Sequence, residues 1–240
     1  AEEDAQALGG GQTLIPTLKQ RLAMPAKLVS LSGIAEMKGV TIADGVLTIG
    51  GGATHAEVAA DACPPLAALA SQIGDPAVRN RGTIGGSLAN NDPAADYPAA
   101  MLALKSNIVT NSREIAGDDY FQGLFETALE EGEIITSVRC EIPEKANYQK
   151  FVQPASRFAL TGAFVAKFAD GVRVAITGAS EGGVFRWSEG EAALSSNFSA
   201  EALNGLKASA DGMIGDLHGT PEYRAHLVGV MTRRAVAAAH

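Results

Sequence analysis

Glycines in this 240-residue chain gather in three clusters, and two of them are flanked by the side chains that anion and sugar recognition require. In Leu8-Gly9-Gly10-Gly11-Gln12-Thr13-Leu14, consecutive glycines let successive N–H groups point into one concavity. They also let a bulky anion approach the backbone without meeting a Cβ. Gln12 and Thr13 add short polar groups, although the cluster alone serves equally well as a plain connecting loop. The second cluster is richer. It runs Arg79-Asn80-Arg81-Gly82-Thr83-Ile84-Gly85-Gly86-Ser87, then Leu88-Ala89-Asn90-Asn91-Asp92-Pro93-Ala94-Ala95-Asp96. A diphosphate joined to a polyol suits this set: backbone N–H groups at Gly85 and Gly86 for phosphate oxygens, Thr83, Ser87 and Asn90 for sugar hydroxyls, and Asp96 to accept from a ribose-type O–H. Asp92 and Asp96 also fit turn or cap chemistry beside Pro93 and Pro98, and Arg79 and Arg81 fit structural ion pairs.

Several other chemistries drop out. No Gly-Lys-Ser/Thr is present, so there is no P-loop. A dinucleotide fingerprint needs a third glycine at position 14, which is Leu. His55, His218, His226 and His240 are scattered without metal-ligand spacing, and Cys63 and Cys140 are too few for a four-cysteine zinc site or an iron–sulfur cluster. The two cysteines are expected to be buried apolar residues in a reducing compartment. A net charge of −8 and a pI near 5.0 argue against nucleic-acid or polybasic membrane partners. No apolar run approaches the ~20 residues of a membrane span, and the acidic start Ala1-Glu2-Glu3-Asp4 does not read as a signal peptide. A cytoplasmic protein is expected.

The elements that must hold these clusters alternate between strand-like and helix-like stretches. Residues 27–31 read as a strand, and residues 40–49 as a hairpin turning at Asp44-Gly45. Gly50-Gly51-Gly52 then leads to Thr54-His55-Ala56-Glu57, a capping box opening an Ala-rich helix. Helices are expected over 66–73 and 98–104, and strands over 108–110 and 133–142. A second hairpin is expected at Asp170-Gly171, followed by helices over 200–210 and 222–239. The chain is α+β, divided at residues 144–148 into a unit of 1–143 and a smaller unit of 144–240.

Gly9-Gly10-Gly11-Gln12-Thr13 with Leu14-Ile15-Pro16, and Arg79-Asn80-Arg81-Gly82-Thr83-Ile84-Gly85-Gly86-Ser87, together resemble the flavin-binding medium subunit of molybdenum hydroxylases. The type is that of carbon monoxide dehydrogenase, related to the FAD domain of xanthine dehydrogenase. The likeness continues through Tyr148-Gln149-Lys150-Phe151, Ala155-Ser156-Arg157-Phe158-Ala159 and Pro221-Glu222-Tyr223-Arg224. Gly9 and Thr13 depart mildly from the family's first motif, and Pro154 stands where relatives often carry Arg.

The resemblance implies a vanillyl-alcohol-oxidase-type (PCMH-like) FAD fold of two α+β subdomains, with a C-terminal sheet-and-helix domain. It implies that Gly9, Gly10, Gly11, Gln12 and Thr13, with Thr83, Ile84, Gly85, Gly86 and Ser87, hold the diphosphate and ribityl chain of FAD. Asn90 and Asp96 would bond ribityl or ribose hydroxyls. Phe158 would lie beside the flavin ring, and Lys150 would stabilise its reduced anion. The implied assembly is a dimer of heterotrimers with a molybdopterin-binding large subunit and a [2Fe–2S] small subunit, and an apolar patch is expected where partners dock. Electrons would pass from the clusters through FAD to an external acceptor. Family members carry a strand and a helix before the first glycine loop, so the chain is expected to lack that piece. A stand-alone flavin oxidoreductase of the same fold, and an interaction subunit without cofactor, are the competing expectations.

Overall fold

The computed structural model describes residues 4–240, so Ala1, Glu2 and Glu3 of the acidic start lie outside the described residues. The first stretch is β1 (Ala5–Leu8), α1 (Leu14–Lys19) and β2 (Lys27–Ser30), followed by a 3-10 turn at Ala35–Met37 and the hairpin β3 (Val40–Ala43) and β4 (Val46–Gly50). Five short helices come next: α2 (His55–Asp61), α3 (Pro64–Ser71), α4 (Pro76–Arg79), α5 (Ile84–Asn90) and α6 (Tyr97–Ala103). Then come β5 (Asn107–Thr110), β6 (Glu114–Ala116), α7 (Gly117–Tyr120), β7 (Phe121–Gly123), β8 (Glu126–Thr127) and β9 (Ile135–Glu141). The remainder is β10 (Lys145–Val152), β11 (Ala159–Phe168), β12 (Gly171–Thr177), β13 (Phe185–Arg186), α8 (Ser188–Ser196) and α9 (Pro221–Ala238).

Strands β1 and β2 pair in parallel, with α1 as the crossover. The central sheet is antiparallel in the order β3-β4-β9-β5-β6, and the C-terminal sheet is antiparallel in the order β10-β11-β12-β13. Period-two alternation sets the cores. Leu47 and Ile49 of β4, Val138 and Cys140 of β9 and Ile108 of β5 face helices α2, α3, α5 and α6. Strand β11 is buried on both faces. Phe164, Ala166 and Phe168 join that first core, while Ala163 and Val165 join a second one with Trp187 of the β13–α8 connection, Leu194 of α8 and Leu227 and Val228 of α9. The first core therefore runs continuously across residues 143–144, where the sequence suggests a division.

The turn at Asp44-Gly45 has positive φ at both residues (51° and 76°), as a type I′ hairpin requires. The second hairpin differs from expectation by one residue. Phe168 pairs with Gly171, so the loop is Ala169-Asp170. Residues 200–210 form only a 3-10 turn at Ala200–Leu203, because Asn204 is extended and Gly205 adopts φ of 82°. The Pro221-Glu222-Tyr223-Arg224 motif opens α9, with Thr220 capping it and Pro221 in its first turn. Arg224 is buried, donating to the carbonyls of Leu160 and Gly178 and to Asp216. No helix among the described residues is long and apolar enough to cross a membrane.

Candidate functional site

Three glycine loops meet at one waist. The first follows β1, and its carbonyls close the start of α1: Gly11 O accepts from Ile15 N and Thr13 O from Thr17 N. The N–H groups of residues 9–13 donate to no acceptor among the described residues, so five adjacent amides stand unspent. Gly11 adopts φ of 74°. A Cβ on Gly10 would overlap the Arg81 carbonyl and come 2.6 Å from the Gly82 Cα. One on Gly9 would lie 3.2 Å from Thr83 Oγ1. Only glycine lets the first loop approach the second this closely.

The second loop leaves α4 and enters α5 through Thr83, whose Oγ1 accepts from Gly86 N at 3.1 Å. It is laced to the third glycine cluster. Gly85 N donates to Gly51 O, Ile84 N to Ala53 O and His55 N to Gly82 O, at 2.9 to 3.0 Å. A Cβ on Gly51 would overlap the Ile135 carbonyl, and one on Gly50 the Met37 carbonyl. The cluster that sequence reading leaves without a role thus anchors the second loop to β9.

These contacts correct part of the sequence expectation. The N–H groups of Gly85 and Gly86 are already consumed inside the protein, so what those residues bring to the cleft is the absence of a side chain. Ile84 is fully buried in the first core and lines no part of the cleft. The first loop supplies the free donors.

The waist divides a cleft into two chambers of about 350 and 480 Å³, each within the ~300–1,000 Å³ of ordinary ligand sites. The smaller is walled by Leu31, Met37, Leu129 and Ile135, with Lys38 and Arg81 beside it. The larger is lined by Gln12 and Thr13, by Ser87, Asn90 and Asp96, and by His55 and the half-exposed Phe158. Gly9, Gly10, Thr83 and Gly86 line both chambers. Glu57 borders the smaller chamber while its carboxylate completes the capping box with Thr54. Gly50-Gly51-Gly52 forms the strand-to-helix connection beside the cleft that the sequence suggests, with Gly51 and Gly52 lining the smaller chamber, while the apolar wall was not legible in the sequence. The triple glycine was the one available signal.

Behind the larger chamber lies a buried polar group. Asp96 (4 % exposed) accepts from Tyr148 Oη at 2.5 Å and from Lys150 Nζ at 3.0 Å. Burial pushes its carboxyl up, against the opposing pull of Lys150 and the Tyr148 hydroxyl. The Lys150 side chain is 1 % exposed and also donates to the carbonyls of Gln72 (3.2 Å) and Arg157 (2.8 Å). Lys150 therefore lines neither chamber and reaches the site only through Asp96. Two arginines grip the same helix end. Arg79 donates to Ile73 O and Gly74 O, and Arg157 to Gly74 O, at 3.0 to 3.1 Å. Three cations thus sit on the carbonyls that follow α3, where the helix dipole is negative. For Arg79 this is a structural role, held through carbonyls and not through a carboxylate.

His55 stands at the first position of α2, with Nδ1 3.2 Å from Tyr97 Oη. Burial, and after it the Asp96 charge, push the Tyr97 phenol well up, so it keeps its proton. Its one hydrogen-bond partner among the described residues is His55 Nδ1, and an unmet buried O–H would cost about 1–3 kcal/mol. The hydroxyl therefore donates to Nδ1, and the imidazole carries its own proton on Nε2.

Burial, reinforced by the Arg79 charge, holds His55 down at about 4, against an ordinary 6.5. The unfolded chain takes up this proton near pH 6.5 and the folded chain only near 4. Unfolding free energy from this source consequently falls as pH drops through that window, by about 3 kcal/mol at pH 4. Urea unfolding of the protein and of His55→Gln at pH 7 and pH 4 should show their stability gap narrowing by that amount. A constant gap would refute it.

A family profile described as the FAD binding domain in molybdopterin dehydrogenase matches residues 1–145. The carbon monoxide dehydrogenase medium chain of Hydrogenophaga pseudoflava is 31 % identical over 98 % of this chain and 89 % of its own length. The nicotine 6-hydroxylase medium subunit of Paenarthrobacter nicotinovorans is 34 % identical over the same shares. Among solved structures, reconstituted CO dehydrogenase from Oligotropha carboxidovorans superposes with a TM-score of 0.88 at 31 % identity, covering 98 % of this chain and 89 % of that one.

Proposed function

Because the chain belongs to the family of FAD-binding domains of molybdopterin dehydrogenases, we propose that it relays electrons through FAD from the [2Fe–2S] clusters of a small subunit to an external acceptor. The chain is a flavoprotein subunit of an oxidoreductase and has the vanillyl-alcohol-oxidase-type FAD fold. In the proposed assembly a molybdopterin-binding large subunit oxidises the substrate, and two heterotrimers pair. The observation that carries the reading is the waist: five unspent amides at residues 9–13, between two chambers, in a cradle that a Cβ on Gly10 would close.

The fit to FAD follows from that donor set. Amides of Gly9, Gly10, Gly11, Gln12 and Thr13 suit diphosphate oxygens, and Arg81 and Lys38 supply positive charge beside them. Thr83, Ser87 and Asn90, which line the larger chamber, suit ribityl-type hydroxyls. The apolar walls of the smaller chamber suit a purine, and the larger chamber, with Asp96, His55 and Phe158, suits the flavin ring. When bound, FAD supplies the one- and two-electron chemistry that joins single-electron clusters to an external acceptor. The chain's residues bind and orient it. The Asp96–Lys150–Tyr148 group fixes the wall of the larger chamber, and the residues between β10 and β11 carry Phe158 to its mouth.

Purification of the chain with its large and small subunits tests the proposal. The complex is expected to carry one FAD per chain, and its flavin absorbance should bleach anaerobically on addition of the complex's substrate. A chain that stays colourless after FAD incubation, or flavin that stays oxidised while the clusters are reduced, would refute it.

A further inference from the structure

Resting on the flavin reading of the cleft, we infer that His55 is a further cofactor-positioning residue, whose neutral imidazole presents Nε2–H to the larger chamber as a hydrogen-bond donor for an acceptor atom of the bound flavin. The ring is 5 % exposed and lines that chamber. Its Nδ1 is occupied by Tyr97, and the two rings lie 5.3 Å apart. Nε2 has no hydrogen-bond partner among the described residues. A polar atom in a nine-tenths-buried side chain is normally satisfied, and Nε2 sits against Gly82, which lines the same chamber.

The surroundings are built to hold the ring in place. His55 N donates to Gly82 O, so the residue is tied to the second glycine loop by its backbone. A Cβ on Gly82 would lie 2.5 Å from Nε2 and 2.8 Å from Cδ2. The glycine of the loop therefore leaves room for the imidazole and its Nε2. Because Tyr97 fixes the tautomer, the atom offered is an uncharged donor. An uncharged donor suits the carbonyl oxygens and unprotonated ring nitrogens of a flavin or an oxygen of its ribityl chain, and it discriminates against a ligand whose only groups there are donors. Lys150, which lines neither chamber, does not compete for this role.

Titration of the full chain with FAD, followed by flavin fluorescence, reads the contribution. His55→Leu is expected to weaken FAD binding roughly ten-fold, the loss of one buried hydrogen bond. His55→Gln, whose side-chain amide reaches the place of Nε2, is expected to bind nearly as well as the parent. A His55→Leu protein that is folded and binds FAD unchanged would overturn the inference. Nitrogen NMR of histidine-labelled, unsubstituted protein supplies a second readout that does not depend on a variant folding. The other three histidines are exposed, so the buried ring is separable. It should show the Nε2–H tautomer, and its proton should shift on addition of FAD. An Nδ1–H tautomer, or no shift on binding, would overturn the inference while leaving the flavin reading intact. A chain that takes up no FAD overturns that reading, and the inference with it.

Discussion

Replacing Asp96 by leucine is expected to destabilise the protein by about 3–5 kcal/mol and to strip it of flavin. The substitution leaves the Lys150 ammonium, whose side chain is 1 % exposed, with only two carbonyl acceptors. Removing one member of a buried ion pair typically costs that much, because the surviving charge has no compensation. Tyr148, buried with its phenol pushed well up, would lose its acceptor as well. The paired change Asp96→Leu with Lys150→Met is expected to recover most of the stability, since a buried pair contributes little net energy over apolar residues of similar volume. Flavin retention should not recover in the double variant if Asp96 also shapes the larger chamber. Urea unfolding and flavin absorbance, measured on both proteins, separate the two effects. A single variant as stable as the parent would show that the pair is not buried as described.

Gly10→Val is expected to abolish measurable FAD binding, by at least about 100-fold or ~3 kcal/mol, while leaving the rest of the fold in place. Its Cβ would overlap the Arg81 carbonyl, which is backbone and cannot rotate aside. The first loop would have to withdraw from the second, carrying its five free amides with it. The first loop carries no member of either core cluster, so thermal stability should fall far less than affinity does. Gly33→Ala is the matched control. A Cβ there meets nothing within 4 Å and its φ lies outside the left-handed region, so binding and melting temperature should both stay unchanged. FAD binding by Gly10→Val at parental affinity would mean that the two loops do not need to touch.

What the sequence made legible was chiefly local. The Thr54 capping box and the Asp44-Gly45 turn depend on residues within four positions of one another, and each formed as read. The two glycine motifs were legible as loops for the same reason. The features that escaped are those set by distant partners. Gly51 needs to be glycine because of Ile135, and the amide of Gly85 is consumed by Gly51 O, which periodicity does not bring near. Lys150 read as a charge for the cofactor because nothing nearby in the chain announces Asp96, 54 residues earlier, as its partner. The helix expected over 200–210 failed on a different ground: Ala, Leu and Lys favour helix, but Asn204-Gly205 interrupts the turn and tertiary packing does not restore it.

The grip of Lys150, Arg79 and Arg157 on the carbonyls after α3 also bears on how the chain can be cut. Two of the three cations belong to residues beyond 143. An expression fragment ending there would keep every glycine of the waist yet lose two of its three clamps on that helix end. It would also lose Tyr148, Phe164 and Phe168 from the core they share. Such a fragment should express as a loosened, protease-sensitive domain in which the glycine motifs are present and the wall of the larger chamber is not. The smallest portable flavin module in this chain therefore extends at least through β11.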